Sequence, residues 1–351
     1  MNLVTSYSIS LPKISFSKPR ELLNDLPHKF SSISYSACEH TWSYLSKIIS
    51  LSRNTLNLTA ASSKNNNFIY KTKLITTKLK LFSIINVPFN LVKLKLTAEK
   101  IFKSFQLSDR EGVALSLLSF THMAAETFDT TTGFVNTVLT LTATTVVKVF
   151  STIALPLGFT VAGMGMVSKT IQLAKAANLY RNINKAAISG SDSKDKLKEF
   201  LEKKLGTTKE LSDLRATEKD PTQIEQALDT IKEKKRAALL RAAPKDVVNE
   251  LEKPLIDTKK DSFNDSQSEN ISRSLDKIKY LLVKKMKVDS ANIFASSIAL
   301  SSMVLSTIGT GGAILPLMLA TSAVSLKLGS LIYEDRAKYV PSASIPEASG
   351  N

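Results

Sequence analysis

Residues that could do chemistry are few in this chain and poorly spaced for it. Cys38-Glu39-His40 is the one local grouping of a thiol, a carboxylate and an imidazole. Nucleophile and base normally come from distant segments that a fold brings together, so three consecutive residues of this kind read as surface. His28, His40 and His122 are the three histidines and Cys38 the single cysteine. They are too scattered for a metal cluster, whose ligands recur at helical or short-loop spacing. Gly309-Thr310-Gly311-Gly312 carries the glycines of a phosphate loop, but Ala313 and apolar residues follow where a Lys-Ser/Thr pair is required. No Gly-x-Ser-x-Gly elbow, His-Glu-x-x-His helix or Cys-x-x-Cys pair occurs. The expectation is a non-enzymatic protein with no cofactor, no metal and no small-molecule substrate.

What the sequence offers instead is uncharged length. Between Asp289 and Lys327 no charged side chain appears, and Gly309, Gly311, Gly312 and Pro316 interrupt the run near its middle. A helical crossing of the hydrocarbon core needs about 20 predominantly apolar residues, so the segment 290–333 reads as a membrane hairpin turning at those glycines and that proline. A second, more polar hairpin is expected over 130–179, with its turn at Pro156 and Gly158 in Leu155-Pro156-Leu157-Gly158. Its many threonines are tolerable because a hydroxyl can bond a carbonyl one turn back, and Lys148 lies where its stem could reach the far headgroups. Ser-Thr-Ile precedes Leu-Pro-Leu in both runs, which suggests a repeated hairpin. The fold class is therefore mostly α: a helical membrane protein with one or two hydrophobic hairpins and a charged amphipathic helical region between them.

An excess of 47 Lys and Arg over 31 Asp and Glu gives a formal charge of +16 and a pI near 9.6. Such a balance calls for an anionic partner or surface. Basic residues flank apolar runs and aromatics are dispersed, so anionic lipid is favoured over nucleic acid. Residues 1–30 form a Ser-rich N-terminus: an export signal, an organelle transit peptide or an unstructured end. Residues 31–129 form a basic amphipathic region, in which the lysines of Lys71 to Phe105 alternate with Leu, Ile and Phe. That segment suits either the headgroup layer or a soluble core with a solvated lysine face. Ser108 and Glu111 resemble a capping box opening a helix that ends before Thr130. Region 180–289 is charged and helical. Its stripes Leu197, Phe200, Leu201 and Ile224, Leu228, Ile231 are the kind that pair with a helix of this chain, of a second copy or of a partner protein. Gly206 would end the first of these helices in a left-handed conformation, Pro244 ends the second, and Asp257 to Glu269 reads as a linker. Residues 334–351 form a tail.

The Ser-rich start, the paired apolar lobes with a Gly/Pro turn and the charged helices beside them resemble the inclusion-membrane proteins of chlamydiae and their environmental relatives. The resemblance rests on hydropathy shape across Thr130 to Val167 and Ser290 to Tyr333. It implies export by a type III secretion machine, insertion into a host vacuole membrane and exposure of the polar segments to cytosol, with no catalytic residue to carry over. Positive charge at Lys169, Lys175, Lys284, Lys285, Lys287, Lys327 and Arg336 lies at the hairpin ends rather than the turns. Both termini and the middle region should thus share the cytosolic side. The functional expectation is a membrane-anchored module for protein–protein interaction. The alternatives are a membrane-active or pore-forming protein using the Thr and Ser hydroxyls, and a soluble helical protein with both hairpins buried, which a mean hydropathy near zero permits.

Overall fold

In a computed structural model of the chain, residues 32–142, 148–186, 193–217, 220–257, 265–308 and 313–337 are described, and every regular element among them is helical. The protein is thus mostly α. Two units divide the chain, Met1–Leu45 and Ser46–Asn351. Helix α1 spans Ser32–Ser62; within the first unit it carries His40 and Tyr44, whose rings meet edge-on with centroids 5.3 Å apart. Cys38, Glu39 and His40 are consecutive residues of this helix, so successive side chains diverge by about 100° and cannot converge on one point.

In the second unit Asn65 opens α2 (Asn66–Leu81), its side chain accepting from the N–H groups of Asn67 and Phe68 at 3.0 and 3.1 Å. Pro88, in the first turn of α3 (Asn86–Gln106), lacks the N–H that would reach back to the Ile84 carbonyl. The four residues ahead of α3, Phe82–Ile85, tighten into a 3-10 turn. The alternation of Lys and Leu here is therefore helical, with no strand. After α3 the chain reverses. Ser108 takes a left-handed φ of 50°, and the Asp109 N–H returns to the Ser104 carbonyl at 2.9 Å. Asp109, one residue after the expected cap, then opens α4 (Arg110–Thr142) by accepting the Gly112 N–H at 3.0 Å.

Helix α5 runs Lys148–Ala186 and contains Pro156 in its interior. The expected turn at Pro156 and Gly158 is thus overturned: both lie within this helix. Glu111 of α4 pairs with Lys175 of α5, while a Cβ at Gly165 would lie 3.3 Å from the His122 ring, so α4 and α5 pack antiparallel. Helices α6 (Ser193–Lys204), α7 (Thr208–Thr217), α8 (Pro221–Ala242) and α9 (Lys245–Asp257) follow. Asp220 caps α8 with Pro221 at its first position, and Pro244 separates α8 from α9 as expected. Helix α10 (Asp265–Ile308) starts inside the stretch read as a linker. Helix α11 (Ile314–Arg336) returns along it: the Ser302 hydroxyl donates to the Pro316 carbonyl at 2.7 Å, Ser330 to Asn292 Oδ1 at 3.2 Å and Lys284 to the Ala337 carbonyl at 2.8 Å.

The helices α3, α4, α5, α10 and α11 pack in that order, each on the next, and α6 to α9 cover one end. The two Leu-Pro-Leu sequences are not equivalent. Pro316 sits in the first turn of its helix, where a missing N–H costs nothing, whereas Pro156 interrupts a helix already two turns long. Gly309, Gly311 and Gly312, residues 1–30 and most of the tail lie outside the described residues.

Candidate membrane-facing surface and charged junction

Along α2 and α3 the usual arrangement is reversed. Thr72, Thr76, Asn90 and Thr97 are buried, while Tyr70, Phe102 and Phe105 are 69, 70 and 61% exposed. The same holds at the far end of the bundle, where Ser296, Ser302 and Ser330 are buried and Phe294, Ile308 and Met318 are exposed. A water-soluble helix turns its apolar stripe inward and its polar face outward. Here the large apolar side chains look out, and the small or hydroxylated ones let the backbones approach. Four of the buried hydroxyls are satisfied within their own helices: Thr76, Thr97, Thr132 and Thr137 each donate to a carbonyl three or four residues back, at 2.7 to 3.1 Å. Asn90 Nδ2, His122 Nδ1 and Asn136 Oδ1 are buried without a hydrogen-bond partner.

Among the described residues three segments are long and apolar enough to cross a membrane: Asn66–Gln106, Arg273–Ile308 and Ile314–Arg336. The last two form the hairpin expected over 290–333. The first was read from sequence as a basic surface segment, while the hairpin expected over 130–179 contributes no such segment. Its helices α4 and α5 instead pack between α3 and α10, and Gly158 faces Met303 of α10, whose methyl would lie 3.4 Å from an added Cβ.

At the other end the interior is conventional. Ala176, Leu179 and Ile183 of α5, Leu201 of α6, Leu239 of α8, Val247, Val248 and Leu251 of α9, and Leu275, Ile278 and Leu282 of α10 form one buried apolar cluster. Ion pairs bind its rim. Lys277 meets Glu250 at 2.6 Å, and Lys235 meets Glu210 at 2.6 Å and the Gly206 carbonyl at 2.5 Å. That lysine holds the Glu210 carboxyl below its ordinary range through the hydrogen bond and its charge, against a smaller upward push from burial. Gly206 has no left-handed φ; the Glu202 carboxylate, which accepts the Thr208 N–H at 2.7 Å, occupies the place of a Cβ there and would have to move aside for a larger residue.

Between the two zones Asp109 is nearly sealed, and Arg241 of α8 grips it with both Nη atoms, Nη2 at 3.2 Å from Oδ1. Burial pushes the Asp109 carboxyl up, but the Gly112 N–H, the Arg241 guanidinium and the charge of Lys234 outweigh it and hold the group below the usual carboxylate range. Arg241 Nη2 also lies 3.7 Å from Glu111. A second junction centres on Asp289, 1% exposed, which takes Lys169 at 3.1 Å and Lys285 at 2.6 Å. Both junctions border a cavity of about 830 Å³, walled by α3, α4, α5, α10 and α11 and closed on one side by the α8–α9 corner.

Of the residues expected to bind a partner, Leu201 is fully buried in the chain's own apolar cluster and Phe200 packs against it. The side chain of Leu197 lies outside the described residues. Ile224, Leu228 and Ile231 line α8 outside that cluster, half-buried. No local pattern points to Arg241, because its partner lies 132 residues away. Asp109 was missed by one position, since Ser108 is also a good cap by composition. Among the described residues no group of His, Cys, Asp and Glu could hold a metal ion. No protein-family model, no curated protein and no solved structure matches the chain.

Proposed function

We propose that this chain is a membrane-anchored, non-enzymatic protein that displays α6 to α9 at a cytosol-facing membrane surface for interaction with another protein. One observation carries the reading: within the same unit α2, α3, α10 and α11 expose large apolar side chains, whereas α6, α8, α9 and the first half of α10 bury theirs in a closed core. Lipid is the environment that makes the first surface stable, and water the one that favours the second. Leu201 is committed to that core, so the partner-binding stripe is Ile224, Leu228 and Ile231 on α8. The resemblance to inclusion-membrane proteins extends the reading to an exported protein of a host vacuole membrane. A pore would need free hydroxyls along a polar path, and four of the buried threonines here donate to their own helices.

Proximity labelling in cells tests the reading, comparing wild type with Leu228→Asp and using dye release from liposomes as a second readout. Leu228→Asp should keep the helical content and lose the labelled partner. An unchanged partner list together with strong leakage of dye would eliminate the interaction module and favour the pore.

A further inference from the structure

The cavity beside the two junctions has a charge pattern that the fold does not need. Its wall carries Lys100, Lys169, Arg241, Lys284 and Lys285, against the carboxylates of Asp246, Asp289 and Glu334. Asp289 is shared by two of the lysines, so one positive charge there stays uncompensated. Lys284 donates to a neutral carbonyl, that of Ala337. Lys100 has no ion-pair partner among the described residues. Arg241 presents a buried Nε–H with no acceptor. Asp246 and Glu334 stand at exposed positions, where water screens them. A volume of about 830 Å³ is that of a ligand pocket, and Leu115, Leu281, Val288 and Leu331 supply an apolar part of the wall.

Position selects the ligand class. Lys284 and Lys285 stand just before the uncharged run that starts at Ser290, and Leu331 and Glu334 lie in the last two turns of the returning helix, so the cavity lies at the level where a membrane's headgroups meet water. We propose that it binds the phosphate group of an anionic amphiphile, with Lys100 and Lys284 holding the phosphate oxygens and the apolar wall receiving the adjoining hydrocarbon. Lysine ammonium groups suit this as compact donors to phosphate. The lipid source rests on the membrane reading above, while the phosphate chemistry does not.

The test uses the full-length chain in nonionic detergent, titrated separately with short-chain phosphatidic acid, with phosphatidylcholine of the same chain length and with inorganic phosphate. Melting temperature and retained lipid are read for wild type and for Lys100→Gln/Lys284→Gln. Phosphatidic acid should raise the melting temperature saturably, and the double variant should bind about tenfold more weakly or worse, as loss of hydrogen bonds to a charged group implies. Phosphatidylcholine, whose phosphate is neutralised by its own choline, should not bind. A matching response to inorganic phosphate alone supports the same site with the free anion as its source. Absence of saturable binding by either phosphate ligand, or equal affinity in wild type and variant, overturns the proposal. Should the double variant fail to fold, Lys100→Gln alone, at an exposed position, carries the comparison. Release of the wild-type chain by carbonate would instead defeat the membrane reading and leave the inorganic-phosphate arm intact.

Discussion

Asp109 joins the end of α3 through its backbone N–H, and its carboxylate holds the start of α4 and, through Arg241, the last turn of α8, so its protonation state bears on two helices at once. Its carboxyl is held below its ordinary range. The stabilisation is therefore fully present above the unfolded carboxylate value of about 3.9 and is lost as pH falls through the lower folded value. Wild type should keep a flat melting temperature from neutral pH down to about 4 and lose it below that. Asp109→Asn should melt lower at neutral pH and show a weaker acid dependence, both readable by far-UV circular dichroism in detergent. Arg241→Ala should cost about 2 to 3 kcal/mol, somewhat under the figure for a sealed pair, because the arginine side chain keeps 18% exposure. Gly112 is fixed by the same contact: a Cβ there would lie 2.8 Å from Ser104 Oγ and 2.9 Å from Arg241 Nη1. Gly112→Ala should destabilise despite alanine's better helix propensity. Ser108→Gly, in contrast, relieves a left-handed φ of 50° and should stabilise by about 1 kcal/mol.

At the scale of elements, the uncharged run Ser290 to Leu326 made the α10–α11 hairpin legible, because no soluble helix pair needs such length without charge. The α4–α5 pair was legible only in part. Its helices were visible in the apolar pattern, but Leu155-Pro156-Leu157-Gly158 looks like a turn to any local rule, and packing on α10 holds that segment helical. The hairpin gives a direct test. Val304 is 41% exposed on α10, one turn before the helix ends at Ile308, and an aspartate there is costly in hydrocarbon, though less than the figure of about 2.5 to 3.5 kcal/mol for a crossing's middle on insertion scales. Val304→Asp should shift part of the chain into the supernatant on carbonate extraction, with wild type retained in the pellet. Equal release of both would show that this face meets water. Leu201→Asp belongs to the other kind of element. It places a charge in a closed apolar core and should unfold the α6–α9 region, whereas Leu228→Asp on the half-buried stripe should not.

At the scale of the whole molecule, the end of α11 meets the middle of α10 where Lys284 reaches the Ala337 carbonyl, and α6 to α9 pack beside that level of the bundle. The middle region and the residues after α11 should therefore lie on one side of the membrane. Limited proteolysis of intact, cytosol-side-out vesicles should cleave between residues 186 and 265 and leave a protected fragment containing α10 and α11. Protection of the 193–257 segment would contradict this orientation.

Class and setting were determined by sequence alone: a basic, helical chain with one uncharged hairpin, flanked by lysines, and no spacing suited to catalysis. Those follow from hydropathy and charge, which are properties of each segment by itself. Only the tertiary structure decided that α2 and α3 turn their threonines inward, that Pro156 lies within a helix, that Leu201 serves the chain's own core and that Arg241 meets Asp109. Each depends on which helix faces which. That choice is made by side chains more than a hundred residues apart, through packing and ion pairing that no local pattern encodes.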